Sequence, residues 1–336
     1  MNTSLKHTIS LKDGTAYYVI FDSISDFHCF VDAQMEALSG GNFKVYKSMH
    51  TRAASGAYYG SGWYGTPAPT SIEDLQNHNR FLGMHLIKVI QPKIRKRLEH
   101  YLKLVEDQIL PKPKLQFNDK GLGVFSFDRA AMGLFRMQPT AVNTNMQKNI
   151  SQMKIELDRD NKTTSIKKVY AQIKDKASSF PSLQLYITAG ANANIKGNQL
   201  LYIGLACAEL VEFMELRGIA VEVNIIFETF FNGNYPIGVV RLKRFEDRLD
   251  KNQLLLLSSD PRYYRYRGFK ALIALSNYFG LTIPSGLGAA KDGIGKDFIK
   301  ALDLGGVVFE QSFDINSAVN EVTEIIKTYS QKLKNR

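Results

Sequence analysis

The stretch from Ser182 to Phe227 constrains the fold of this chain more than any other. Leu183–Thr188 is a short apolar run that ends in the small residues Ala189, Gly190 and Ala191, the pattern of a buried strand entering a loop. From Asn198 to Arg217, apolar Leu201, Leu205, Ala208, Val211 and Leu216 recur at helical spacing, and Gly218 supplies a stop just past the helix end. Ala220–Phe227 is a second apolar run rich in β-branched residues. Strand, loop, helix and strand at this spacing predict a βαβ unit, with a right-handed crossover and a parallel sheet. Ligands of such sheets meet the crest beyond the carboxyl ends of the strands. The loop after the first strand, with Thr188, Asn192, Asn194 and Lys196, is therefore the candidate contact surface for a partner.

Around this unit the patterning is mixed. Ala16–Phe21 reads as a strand and Ile24–Leu38 as a helix closed by Gly40 and Gly41. Thr51–Thr70 is a loop by composition, holding Tyr58, Tyr59, Trp63 and Tyr64; its aromatics serve either as a stacking platform or, the favoured reading, as anchors pinning the loop. Helical patterning continues from about Ile72 to Leu110, and Pro92 is expected to start a second helix within it. Lys93, Arg95, Lys96 and Arg97 then fall in a first turn, where they oppose the helix dipole; they are candidate phosphate contacts, with a solvated basic face as the alternative. A small β element is expected from Leu115, and an edge hairpin around Asp160–Lys162. After the βαβ unit come a strand at Tyr235–Arg244, a buried helix at Asp250–Ser258 and a helix from Pro261 to Phe279. A short strand at Leu281–Pro284, a mobile glycine-rich connection at Gly286–Gly295, a helix at Lys296–Leu302, a strand at Val307–Phe313 and a helix at Ser317–Lys334 complete the chain. Two domains are expected: an α+β domain over residues 1–150 and an α/β domain over 180–336.

The strand, the loop of small polar residues, the amphipathic helix and Gly218-Ile-Ala-Val-Glu-Val together resemble the start of a von Willebrand factor A domain. In that family the first strand ends in Asp-x-Ser-x-Ser, whose side chains hold a divalent metal. The matching positions here are Thr188, Gly190 and Asn192. The resemblance implies a three-layer, mostly parallel sheet. Without a carboxylate in this loop a hard dication lacks its usual ligand, so no metal and no cofactor are expected. The whole chain is also similar to an uncharacterised family of phage, prophage and mobile-element proteins that pair a Trp-x-Gly-Thr segment, here Trp63–Thr66, with a metal-less domain of this type. No activity is implied by that resemblance.

The 336 residues carry a formal charge of +11, which favours an acidic partner, nucleic acid first among them. Cys29 and Cys207 make no disulfide framework, which suits a reducing cytoplasm; Cys207, inside the apolar helix, reads as a buried thiol. No signal-peptide core opens the chain and no run approaches the length of a membrane span, so a cytoplasmic protein is expected, in the host cell if phage-encoded. All six histidines lie in the first hundred residues without ligand-spaced Cys, Asp or Glu, and Gly-x-Ser-x-Gly is absent. The Gly286–Lys296 segment misses the phosphate-loop pattern, because Asp297 stands where a hydroxyl belongs and Ala290 where a glycine does.

The most specific positive signal is Arg262-Tyr263-Tyr264-Arg265-Tyr266-Arg267-Gly-Phe-Lys270, with cations interleaved among aromatics as a single strand or a phosphate backbone would require. The competing reading, which an aromatic stripe on a sheet-flanking helix favours, turns the tyrosines and Phe269 to the sheet and bonds the arginines to carboxylates or carbonyls. The expected function is non-enzymatic: a binding or assembly protein of a phage or mobile element that contacts another protein or its own copy. Nucleic-acid binding in replication or packaging of the element is the alternative.

Overall fold

A computed structural model describes residues 7–55, 61–109, 115–118, 124–126, 135–139, 153–157, 170–173 and 182–334. The expected βαβ unit is present. Strand β8 (Ser182–Ala189) and strand β9 (Ala220–Glu228) pair in parallel across helix α6 (Leu201–Leu216), which Gly218 closes in the left-handed region at φ 75°. On β8, Leu183, Leu185, Ile187 and Ala189 face one apolar cluster while Tyr186 faces another. On β9, Val221, Val223, Ile225 and Phe227 face the first cluster and Ile226 the second. The period of two places both strands in the sheet interior, buried on both faces.

Four more strands complete this sheet: β1 (His7–Leu11), β2 (Gly14–Phe21), β10 (Asn234–Lys243) and β11 (Val307–Phe309). The six run in the order β1-β2-β10-β9-β8-β11. Three of the pairings are parallel and two, β1/β2 and β10/β9, antiparallel. The protein is thus mixed α/β, with a mostly parallel sheet flanked by helices.

The division at residues 150–180 does not hold. Strand β2 pairs with β10, so residues up to 111 and from 181 onward form one unit, and residues 112–180 form the other. The physical reason is backbone satisfaction: with β9 on one side, β10 still offers a row of unpaired amides and carbonyls, which β2 closes. In the second unit, β3 (Leu115–Asn118) and β4 (Val124–Phe125) both pair antiparallel with β7 (Tyr170–Ile173), and β5 (Phe135–Pro139) pairs with β6 (Met153–Leu157). The hairpin expected around Asp160–Lys162 lies outside the described residues, as do Tyr58 and Tyr59.

Several boundaries move. Gly40 opens helix α2 (Gly40–Ser55) instead of only closing α1 (Ile24–Glu36), and Trp63 lies on a short helix, α3 (Ser61–Tyr64). Ser71 caps the short helix α4 (Ile72–Gln76), its hydroxyl accepting from Asp74 N. Pro92 sits inside one continuous helix, α5 (Met84–Ile109), so Lys93–Arg97 are not a first turn and the dipole argument lapses. The buried helix with four consecutive leucines is α7 (Lys251–Ser259), capped by Asp250. Leu281–Pro284 is irregular backbone held by Asn42, whose amide donates to Leu281 O and whose Oδ1 accepts from Ile283 N, both at 2.9 Å. Cys207 is buried. Among the described residues no helix is long and apolar enough to cross a membrane.

Candidate functional site at the sheet crest

Strands β8, β9 and β11 end together, and the residues just beyond their ends are stitched to the glycine-rich segment at 286–295. Glu310, just past β11, accepts from Thr188 Oγ1 of β8 at 3.1 Å and from Lys296 N at 2.9 Å. Glu228, the last residue of β9, accepts from Lys291 N at 3.2 Å. Asn192 spans the gap from β8: its Oδ1 accepts from Ala290 N at 2.9 Å and its Nδ2 donates to Ala290 O at 3.1 Å. Thr229 donates to Leu287 O at 2.6 Å. A Cβ on Gly295 would lie 2.4 Å from Thr188 Oγ1, so only glycine lets the segment settle this close. The connection expected to be mobile is thus tethered at both ends. Its amides at Leu287, Ala289, Ala290 and Lys291 already have acceptors, which leaves them unable to cradle a phosphate.

Burial dominates the chemistry of Glu228. Desolvation pushes its carboxyl up to about 8, opposed by the Lys291 amide and reinforced by the charge of Glu310. The folded state therefore holds a proton between the ordinary value of 4.5 and about 8 that the unfolded chain has lost, and stability falls as pH rises through that window. Glu228→Gln cannot ionise and escapes this loss. Its Tm relative to the unmodified protein is expected to climb from pH 5 to pH 8 and to level off above, as read by thermal unfolding; a difference independent of pH would mean that Glu228 is ionised in the fold.

Beside this stitched segment lies a pocket of about 180 Å³. Its walls come from helix α2 (Met49, Arg52, Ala53), from Trp63 and Tyr64, from the loop Ala191–Ala193, from Ser285–Gly288, and from Tyr264, Arg265, Phe269 and Leu272. The Trp63–Thr66 segment is docked here by close backbone approach. A Cβ on Gly197 would fall 2.3 Å from Gly65 N, and Asn198 accepts from Thr66 N at 2.9 Å while donating to its hydroxyl at 3.2 Å. Trp63 is buried, as the anchor reading expects, and it also builds one wall of the pocket.

Arginine 265 is the unusual group. It is 1% exposed, its Nη2 donates to Ile195 O at 2.5 Å, and its guanidinium carbon lies 4.6 Å from the centre of the Trp63 ring. Among the described residues its Nε and Nη1 have no acceptor and no carboxylate pairs with it. Burial lowers its pKa to about 10, so the side chain remains a cation at neutral pH. Tyr64, also in the wall and 2% exposed, has no acceptor or donor for its hydroxyl among the described residues; burial pushes that group up to about 12 and keeps it a donor.

The remaining candidates from the sequence divide sharply. Arg262 is buried and ion-paired with Asp260 at 2.9 Å, Tyr263, Tyr264 and Tyr266 are buried, and Arg267 pairs with Asp32 at 2.8 Å. Lys270 packs its ammonium 4.5 Å over the Tyr266 ring. The segment Arg262–Lys270 is therefore no open nucleic-acid surface, and its aromatics belong to the interior. Its backbone passes through a π-helical turn at Tyr264–Gly268, between helices α8 (Pro261–Tyr263) and α9 (Phe269–Tyr278). Such turns recur at functional sites. On α5, Arg95 is bound by Glu209 and Glu212, and Arg97 donates to Asn316, while Lys93, Lys96 and Arg97 are exposed. At the crest Thr188 is fully buried and Asn192 is committed to Ala290; Asn194 and Lys196 are exposed. The sequence reading places Trp63 and Tyr64 among the anchoring aromatics but gives no sign that Arg265 joins them in one pocket wall.

Among the described residues no group of three or more His, Cys, Asp or Glu side chains could hold a metal ion. A family model described as a domain of unknown function (DUF7192) matches residues 167–334, half of the chain. No curated protein and no solved structure matches.

Proposed function

The chain belongs to the DUF7192 family, and from that premise we propose that it is a non-enzymatic binding or assembly protein of a phage or mobile element, with a metal-less domain of von Willebrand A type as its scaffold and the crest pocket as its recognition site. One observation carries this reading: a buried arginine without a counter-ion among the described residues forms part of a pocket wall. An isolated buried charge costs several kcal/mol, which a merely structural role would leave uncompensated and a ligand would offset. The phage association comes from the resemblance of the whole chain, and it makes another protein or a second copy in the host cytoplasm the natural partner. The pocket offers donors and apolar surface, and the tyrosine hydroxyls in its wall have pKa values raised by burial, as suits recognition rather than proton transfer at neutral pH.

A thermal-shift panel of organic carboxylates, phosphates and neutral compounds tests the pocket, with Ala53→Phe as the variant that fills it. At least one class is expected to raise the Tm of the unmodified protein saturably and to leave the filled variant unmoved. Nucleic-acid contact, the alternative, rests on the exposed Lys93, Lys96 and Arg97. No shift by any compound, together with DNA or RNA binding that loses about 0.7–0.9 of its log–log salt slope per neutralised residue of that trio, would replace the first reading with the second.

A further inference from the structure

We infer that the crest pocket takes a monoanionic carboxylate with a compact apolar body, bound by Arg265 and Tyr64; this rests on the pocket being the recognition site. Among the described residues, the buried atoms left unmet on the wall residues Arg265 and Tyr64 are donors: Arg265 Nε and Nη1 and the Tyr64 hydroxyl. A wall of donors without matching acceptors calls for a ligand made of acceptors, and a buried cation among them calls for a negative one. Three other polar side chains of the wall are already engaged. Thr229 donates to Leu287 O, both ends of the Asn192 amide are held by Ala290, and Arg52 at the pocket's edge donates to Ser48 at 2.8 Å.

The kind of donor left unmet, side-chain rather than backbone, favours a carboxylate over a phosphate. A phosphate dianion presents three terminal oxygens and is ordinarily met by several backbone amides. The neighbouring glycine-rich segment has committed its amides at Leu287, Ala289, Ala290 and Lys291 to internal acceptors. One guanidinium and one hydroxyl match two carboxylate oxygens. The rest of the wall, with Met49, Ala53, Leu272 and Leu287, is apolar, and about 180 Å³ has room for a small branched or cyclic body but not for an extended chain. Such a carboxylate has two sources, a free organic acid or the free C-terminus of a partner chain ending in an apolar residue.

Trp63 is the sole tryptophan and stands in the wall, so its fluorescence reports occupancy directly. The probes are isocaproate, its neutral amide, isobutyl phosphate, and the dipeptide glycyl-leucine with a free or an amidated C-terminus. Isocaproate or free glycyl-leucine is expected to bind saturably, at least tenfold more tightly than its amide and more tightly than the phosphate. Arg265→Gln should weaken this by tenfold or more. Tyr64→Phe, which removes one hydroxyl and keeps the packing, should weaken it about threefold to tenfold, so the test survives if the arginine variant misfolds. Preference for isocaproate identifies a free acid, and preference for the peptide a chain end. Equal binding of acid and amide, or tighter binding of the phosphate, overturns the carboxylate while leaving the pocket a recognition site. Absence of binding by every probe, alongside a flat thermal-shift panel, overturns both.

Discussion

Replacing Asp260 by alanine is expected to destabilise the fold by about 3–5 kcal/mol, the range seen when one partner of a buried charge cluster is removed, and to lower the Tm by on the order of 10 °C. Asp260 is fully buried and holds two other buried side chains: Arg262 donates to it at 2.9 Å and His78 Nε2 lies 2.9 Å from the same oxygen. Its Oδ1 also caps the next helical turn, accepting from Arg262 N at 3.0 Å. Burial pushes the carboxyl up, but His78 and Arg262 beside it outweigh that and hold the pKa below the ordinary 3.8. The stability this carries is present above pH 3.8 and disappears as acid protonates the folded form. The Tm gap between Asp260→Ala and the unmodified protein should accordingly be full at pH 7 and narrow well below pH 3.8. Changing Asp260 and Arg262 together to Leu and Met should recover part of the loss, because the buried guanidinium is then removed along with its carboxylate. A gap that is small at pH 7 would show that water relieves this cluster.

This cluster also explains why the basic segment is misleading in the sequence. Between Pro261 and Lys291 no acid accompanies the arginines, and a count started at Pro261 misses the carboxylate immediately before it. Asp32, the partner of Arg267, is more than two hundred residues away and no local pattern could supply it. Alternation of cations with aromatics is ambiguous for a related reason: within the π-helical turn at Tyr264–Gly268, residues five apart rather than four share a face, so helical-wheel arithmetic assigns the wrong neighbours.

The β8–α6–β9 unit was legible because its signals are local: a period of two, a period near 3.6, and a glycine at the junction. The pairing of β2 with β10 was not, since parallel pairing between strands far apart in sequence leaves no trace in either strand's composition. The discontinuous unit results from that one pairing. Pro92 shows a different limit. Proline is a strong punctuator on average, yet here buried Ile94 and Leu98 belong to the main apolar cluster, and packing carries the helix through the missing hydrogen bond. Glu228 and Glu310 flank strands in the sequence with no evident carboxylate partner. Their partners are backbone amides of the glycine-rich segment, which a sequence does not display.

The second large effect is expected with the opposite sign. Arg265→Met should raise the stability of the ligand-free protein by about 1–3 kcal/mol, since an apolar side chain of similar length replaces a buried charge whose desolvation is not offset by an ion pair. The substitution forfeits the hydrogen bond to Ile195 O and the contact with the Trp63 face, together worth about 2–4 kcal/mol at the generous end. Set against these is the desolvation of a guanidinium with two nitrogens unmet among the described residues, several kcal/mol in a protein interior. Methionine keeps the wall filled with a flexible, polarisable side chain that packs well beside an indole. Urea unfolding of the two proteins without added ligand measures the difference, and titration of each with isocaproate measures what the arginine contributes to binding. A variant both more stable and unable to bind is the signature of a residue kept for recognition to the detriment of the fold. A variant destabilised by more than about 1 kcal/mol would instead make Arg265 part of the scaffold, tying the Ile195 loop to Trp63, and would remove the charge argument on which the pocket reading depends.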